Sequence, residues 1–353
     1  MKKFLVVCAA ATLCCSLVSA QEAEDTGRGA ELSIVPRLDA GIFRSHEDKS
    51  TSFNFGNTSL YTFFEGNISE SWSFSLSNHW VASDWGATSL QEGIGIPTRD
   101  LYSIYKPFGG EAANNFVDWA YITYAPGSFE FSLGKMPMIV GGFEFEENDV
   151  DVHPIATSLF WNTFTVYQPA FSASWTTPSE MTTFTLQVSA DQFNRRPAYG
   201  LKWAGEYGPF STNWSAVLVS HLNPEDPASV TLRPILSFGN RLTLGNFSLT
   251  ADFINRCGDP AYELPDIDGH TLLGTLAYAP SEQFNMALRC AWNRAKSILA
   301  PEGHEDFLTS SLQANWYPIE DDDMFRIQFC AGLMDKSAFA VLGTTWNFGF
   351  KIW

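Results

Sequence analysis

Apolar and polar residues alternate through the stretch FRIQFCAGL, residues 325–333, near the end of the chain. Phe325 and Phe329 fall on one parity, whereas Arg326 and Gln328 fall on the other. A β-strand points successive side chains to opposite faces, so this period of two predicts a strand with one apolar and one polar face. The same period recurs along nearly the whole chain, and no comparably strong helical period accompanies it.

Short turn signals separate neighbouring candidate strands at seven places in the sequence. They are Ser69-Glu70-Ser71, Ala125-Pro126-Gly127, Pro178-Ser179-Glu180, Gly205 to Pro209, Gly239-Asn240-Arg241, Pro280-Ser281-Glu282 and Pro318 to Asp323. Eight connections that are mostly longer and more polar lie between them, at residues 44–57, 82–114, 137–167, 192–198, 222–229, 256–269, 294–307 and 335–339. Because turns and loops alternate, the count predicts 16 strands with both chain ends on the side of the short turns.

Alternation alone fits both a soluble β-sandwich and a membrane β-barrel. The lengths of the turns and loops between the strands decide between these two folds. Short turns at one rim, longer loops at the other and an even strand number are typical of outer-membrane barrels. Aromatic residues, which favour membrane interfaces, gather near strand ends at Trp72, Trp80, Tyr124, Trp175, Trp203, Trp292, Trp316 and Tyr317. The predicted fold class is all-β, a transmembrane antiparallel β-barrel of 16 strands with short periplasmic turns and longer extracellular loops.

The amino terminus has the pattern of a secretory signal peptide. The pair Lys2-Lys3 is followed by an apolar stretch over residues 4–18 and by a small-residue cleavage site that ends at Ala20. A lipoprotein signal at one of the adjacent cysteines, Cys14 or Cys15, is the alternative. We expect residues 1–20 to be removed, and the rest, 21–353, to form a single barrel domain in the bacterial outer membrane.

Composition and charge narrow the classes of function. Residues 1–20 carry two lysines and no acidic residue, so the formal charge of −18 becomes −20 without them. No basic face is then available to neutralise the phosphates of a nucleic acid. Charged residues make up 17% of the chain, against about 25% in typical soluble domains. The 29 Phe and 12 Trp residues need surroundings that cover exposed aromatic surface, as lipid does.

Two segments resemble Gram-negative outer-membrane porins, and the likeness extends over essentially the whole mature chain. Residues 129–137 (FEFSLGKMP), followed by Gly141-Gly142-Phe143, resemble the strand and the start of loop 3 in the phosphate-selective porin O and P group. Residues 345–353 (TWNFGFKIW) resemble the aromatic-ending signal that barrel-assembly machinery reads at Trp353. The resemblance implies a barrel surrounded by outer-membrane lipid and lipopolysaccharide, with a loop 3 that folds inward. It also suggests a homotrimer, in which the loop at 82–114 reaches a neighbouring subunit; a lid over the pore mouth is the alternative for that loop.

The connection at residues 137–167 is the candidate constriction of the pore, because it is too long for an ordinary hairpin loop. Between Gly141 and Pro154 this connection carries five acidic residues and no Lys or Arg. The acidic residues are Glu144, Glu146, Glu147, Asp149 and Asp151. The inward parity of the strands supplies basic residues at Arg37, Lys202, Arg233, Arg289 and Arg326. An acidic loop that faces a basic wall would create a transverse field in the channel. Alternatively, the arginines pair with Asp39, Glu65 or Asp252 and brace the wall, while the loop is solvated at the surface.

The predicted function is passive diffusion of small hydrophilic solutes and ions, with weak cation preference or little selectivity. Phosphate selectivity would require a ladder of Arg and Lys, which five scattered basic positions do not supply. Two alternatives stay open. One is a substrate-specific channel, for phosphate or another anion, and the other is a plugged barrel with a structural or adhesive role.

An enzymatic function is not expected. The sequence has no G-x-S-x-G nucleophile elbow, no H-E-x-x-H, no C-x-x-C and no phosphate-binding glycine loop. We therefore predict no catalytic residues and no cofactor. The acidic cluster at residues 144–151 has ligands that suit calcium, but a solvated acidic loop is the commoner arrangement, so no metal site is predicted either.

Overall fold

The computed structural model describes residues 28–46, 49–54, 58–81, 117–146, 167–190, 197–223, 226–257, 268–296, 305–319, 324–334 and 337–352. The predicted signal peptide and Trp353 lie outside these residues. Within them, the chain forms one antiparallel sheet that closes on itself. No helix of the described part is long and apolar enough to span a membrane.

Sixteen strands make up the barrel, as the sequence predicts, and we number them in chain order. They are β1 (Gly29–Ser45), β2 (Ser59–Ser69), β3 (Trp72–Val81), β4 (Trp119–Tyr124), β5 (Phe129–Pro137), β6 (Tyr167–Thr176), β7 (Thr182–Ala190), β8 (Pro197–Tyr207), β9 (Phe210–Asn223), β10 (Asp226–Leu244), β11 (Phe247–Arg256), β12 (Asp268–Ser281), β13 (Phe284–Lys296), β14 (Glu305–Trp316), β15 (Phe325–Met334) and β16 (Ser337–Trp346). A short strand, Thr51–Asn54, adds to the edge of β1, and Phe348–Lys351 continues β16.

The barrel closes because the first strand pairs on both of its edges. On one side Val35 of β1 lies opposite Tyr61 of β2, and on the other Asp39 lies opposite Gly343 of β16. The strands from β2 to β15 each pair with their two neighbours in sequence. A closed sheet leaves no row of unpaired backbone N–H and C=O groups at an edge, which is the condition for a sheet to cross a bilayer.

The outer face of the barrel is apolar. Leu133, Leu186 and Leu308 are each about 60% exposed, and large apolar side chains of the same parity project outward from all the strands. Aromatic rings contact one another from strand to strand along one row of this face, in the order Trp175, Phe184, Trp203, Trp214, Phe238 and Phe253. Such a surface requires lipid around it and places the barrel in the bacterial outer membrane.

Most of the predicted short turns lie where the sequence places them, including those that follow Ser69, Tyr124, Thr176 and Tyr207. The turn predicted at Gly239-Asn240-Arg241 is wrong. Strand β10 continues through these residues to Leu244, and the chain turns at Gly245, whose φ of 58° is a left-handed conformation that glycine adopts without strain. The glycine at position 239 has another role, described below.

Candidate functional site

The first part of the long connection after β5 lies against the inner wall of the barrel. The backbone N–H of Ile139 donates to Gln187 Oε1 on β7 at 3.2 Å, and the N–H of Gly141 donates to Ser215 Oγ on β9 at 2.6 Å. Ser237 Oγ on β10 donates to the Gly141 carbonyl at 2.6 Å. Residues 138–146, which we call the docked segment, therefore run across several strands on the side opposite the lipid.

Asp252 on β11 holds the far end of the docked segment. Its Oδ1 accepts the backbone N–H of Phe143, and its Oδ2 accepts that of Glu144, both at 3.0 Å. Arg241 on β10 places its guanidinium carbon 4.0 Å from the centre of the Phe143 ring, a cation–π contact. Asp252 thus fixes two consecutive peptide groups of the docked segment, and Arg241 covers the ring of Phe143.

Glycines allow the docked segment to approach the wall this closely. Gly142 has a φ of 93°, which other residues rarely adopt. At Gly239 on the wall, a Cβ atom would lie 2.6 Å from Asp252 Oδ1 and 2.8 Å from Gly142 Cα. Gly239 is therefore needed for backbone approach rather than for a turn, and this explains why a turn signal stands in the middle of a strand.

Two of the predicted acidic residues belong to the docked segment. Glu144 is 1% exposed, and Glu146 is half-buried in the same 3-10 turn, Glu144–Glu146. Glu146 Oε1 accepts a hydrogen bond from Asn213 Nδ2 and forms an ion pair with Lys202 Nζ at 3.4 Å. The docked part of the loop is thus in direct contact with one of the predicted basic residues. Glu147, Asp149 and Asp151 lie outside the described residues.

The remaining basic residues are spread around the inner wall. Arg37 on β1 forms an ion pair with Asp39 Oδ2 at 2.9 Å, and Gln328 Nε2 donates to Asp39 Oδ1, also at 2.9 Å. Arg326 on β15 donates from Nη2 to Thr345 Oγ1 at 3.4 Å. The pairing of Arg37 with Asp39 is the bracing arrangement that the sequence left open. Arg289 on β13 is buried, and Arg233 on β10 is partly exposed.

Strand order separates two of these arginines from the docked segment. The segment contacts β7 to β11, centred on β9, and in a closed barrel of 16 strands β9 is half a circumference from β1. Arg37 on β1 is therefore across the lumen from Glu146, which contacts β8 and β9, and Arg326 on β15 lies six strands from β9. Lys202, Arg233 and Arg241 are on the near side.

Sequence reasoning missed three residues that hold the docked segment: Arg241, Asn213 and Asp252 as an anchor. Arg241 was assigned to a turn, although its inward parity with Arg233 and Ser237 is visible in the sequence. Asn213 carries no sequence signal, because nothing near it predicts that its side chain donates to the Gly142 carbonyl at 3.2 Å. In the described residues, no group of three or more His, Cys, Asp or Glu side chains could hold a metal ion.

A closed barrel of 16 strands that is apolar outside, with the first part of the loop after its fifth strand docked on the inner wall, has the fold of outer-membrane porins. No protein-family model matches the chain, and no curated protein matches it. Solved structures match over nearly its whole length. OmpF of Salmonella typhi, in a complex with daunomycin, is 12% identical with a TM-score of 0.63, over 91% of this chain and 98% of that one.

Two further structures extend this likeness. The outer membrane channel DcaP of Acinetobacter baumannii is 11% identical with a TM-score of 0.61, over 93% of this chain and 100% of that one. OmpT of Vibrio cholerae, described as an outer membrane protein in its trimer form, is 10% identical with a TM-score of 0.55, over 90% of this chain and 99% of that one. At these identities the likeness establishes the fold, and membership of the phosphate-selective group stays a prediction.

Proposed function

We propose that the chain forms a water-filled channel for passive diffusion of small hydrophilic solutes and ions across the outer membrane. The observation that carries this proposal is the docked segment, which narrows the lumen of a barrel whose strand number otherwise leaves an aqueous channel. The channel does no chemistry in this proposal. We further propose that it is a homotrimer. Barrel-assembly machinery recognises each chain in this proposal by the carboxyl-terminal signal that ends at Trp353.

The proposed selectivity is a weak cation preference or little charge preference. Glu146 lies at the docked segment, and the mature chain carries a large negative charge, which raises the local concentration of cations. Selection of phosphate would require a ladder of basic residues along the wall. Two of the five predicted ones are offset by carboxylates, because Arg37 pairs with Asp39 and Lys202 pairs with Glu146. We expect the acidic loop to set the sign of the selectivity.

Reversal potentials in planar bilayers under a KCl gradient test this proposal. The wild type is expected to favour K⁺ slightly, and Glu146→Gln is expected to shift the reversal potential towards Cl⁻, because it removes a carboxylate and leaves Lys202 without its ion pair. Asp306→Asn is the control, since Asp306 lies on an exposed part of β14. A clear anion preference of the wild type would contradict the assignment.

Burial of the inner wall favours a second candidate, a plugged barrel. Arg37 and Gln328 are each 1% exposed, although both point into the barrel, whereas a wide lumen would leave such side chains in contact with water. Liposome swelling separates the two candidates. We expect vesicles that contain the protein to swell in solutions of small sugars such as arabinose. Vesicles that do not swell, although the protein in them is folded, would favour the plugged barrel.

A further inference from the structure

An aromatic patch lies on the inner wall of the barrel, on the strands β2 to β4. Tyr61 and Phe63 follow each other on the inward parity of β2, with ring centres 6.2 Å apart and planes only 6° from parallel. The ring of Trp119 on β4 packs 5.8 Å from Phe63. Porin interiors are polar, so three contiguous aromatic rings on the side away from lipid need an explanation.

Packing alone explains only part of this aromatic patch. Tyr61 packs against Val35 in a small buried cluster, and both Tyr61 and Trp119 are buried. Phe63 contacts both rings and stays partly exposed. The result is an apolar inner surface on which Phe63 is the partly exposed ring.

Carboxylates lie next to the aromatic patch. Glu65 follows Phe63 on the same inward parity, and its Oε1 accepts a hydrogen bond from Ser75 Oγ. Ser75 Oγ in turn accepts the indole N–H of Trp119 at 2.6 Å, so one hydroxyl links the ring and the carboxylate. Glu31 of β1 lies directly opposite Glu65 in the strand register. Like charges directly opposite each other destabilise a sheet, and a cation between them would relieve that repulsion.

We propose that Phe63, Trp119, Glu65 and Glu31 form a binding site for organic cations on the path through the lumen. The ligand class is a substituted ammonium that carries an apolar or aromatic group. Its ammonium group lies near the two carboxylates and against Phe63, because an aromatic face attracts a cation. Its apolar part packs on the same aromatic surface. The site rests on the proposed function, because the ligand reaches it through the channel. It would make the channel prefer one chemical class of cation.

Binding is measured by calorimetry on the full chain refolded in detergent, with benzyltrimethylammonium chloride as the probe. We expect saturable binding that weakens about tenfold in Phe63→Leu, which removes the aromatic face, and that weakens in Glu65→Gln. Phe64→Leu is the matched control, because Phe64 is the next residue of β2 and projects to the opposite face; its affinity is expected to equal that of the wild type. Equal loss in Phe63→Leu and Phe64→Leu would contradict the site.

Two other results would overturn the proposal. The first is binding of benzyl alcohol as strong as that of the ammonium, which would show that charge plays no part. The second is the absence of saturable binding by the folded wild type. Block of the KCl current in bilayers by the same probe, lost in Phe63→Leu, would support the site on the transport path. A barrel that binds the probe but conducts no current would contradict the channel and leave the binding site standing, so the two failures are distinguishable.

Discussion

Replacing Asp252 with alanine is expected to release the docked segment from the inner wall. The carboxylate accepts two backbone N–H groups at 3.0 Å, and hydrogen bonds to a charged acceptor contribute about 1.5–3 kcal/mol each. The loss of roughly 3 kcal/mol lowers the ratio of docked to released loop about a hundredfold. We expect a larger and noisier single-channel current, because the segment then moves within the lumen.

Proteolysis provides a second measurement of the same change. A protease that cleaves after glutamate is expected to cut at Glu144 and Glu146 much faster in Asp252→Ala than in the wild type, with the sites identified by mass spectrometry. Asp252→Asn keeps the shape and one acceptor oxygen, and should lie between the two. Asp306→Ala is the control, because its ion pair with Arg294 is exposed and 3.8 Å long. Unchanged current and cleavage in Asp252→Ala would show that other contacts suffice to hold the loop.

Replacing Asp39 with alanine is expected to destabilise the barrel by about 3–5 kcal/mol, because it leaves the guanidinium of Arg37 buried without its carboxylate. Both side chains are 1% exposed, and Gln328 also loses its acceptor. The measurement is urea unfolding in detergent, followed by tryptophan fluorescence. Exposed pairs contribute little, so Arg294→Ala should change stability by less than about 1 kcal/mol.

A double variant separates the ion pair from the space that it fills. Arg37→Met with Asp39→Leu replaces both charges by apolar groups, and such replacements are often neutral or stabilising. We expect this variant to unfold near the wild-type urea concentration, whereas Asp39→Ala unfolds much earlier. If both variants lost stability equally, loss of the polar network with Gln328, rather than loss of the carboxylate beside Arg37, would be the cause.

The sequence predicts the strands well because lipid imposes a simple rule on them. Phe329 and Leu333 of β15 project outward and Gln328 is buried inside, as the period of two predicts. Most residues on the outward parity are apolar because they face lipid, and this leaves a signal that can be read position by position. The exception is instructive. Gly239 belongs to a sequence that is typical of turns, but it lies within a strand. It is a glycine because the backbone of Gly142 packs against it.

The candidate site could be predicted only in outline. Its length and charge identify the connection at residues 137–167. In the aromatic patch, the sequence shows only that Tyr61, Phe63 and Glu65 fall on the same face of one strand. The residues that hold the docked segment are 48 to 109 positions away from it, as in the contacts of Ile139 with Gln187 and of Phe143 with Asp252. No local pattern encodes a hydrogen bond across that separation.

The amino-acid sequence by itself determined the number of strands, their two faces and the rim that carries the long loops, since lipid on one side and water on the other act on each residue separately. Only the tertiary structure decided which carboxylate anchors the loop and which arginine is neutralised. Those outcomes depend on curvature and register, which bring Asp252 beneath Phe143 and Asp39 beside Arg37. A closed barrel joins residues from distant strands at one level of the lumen, and geometry alone selects the pairs.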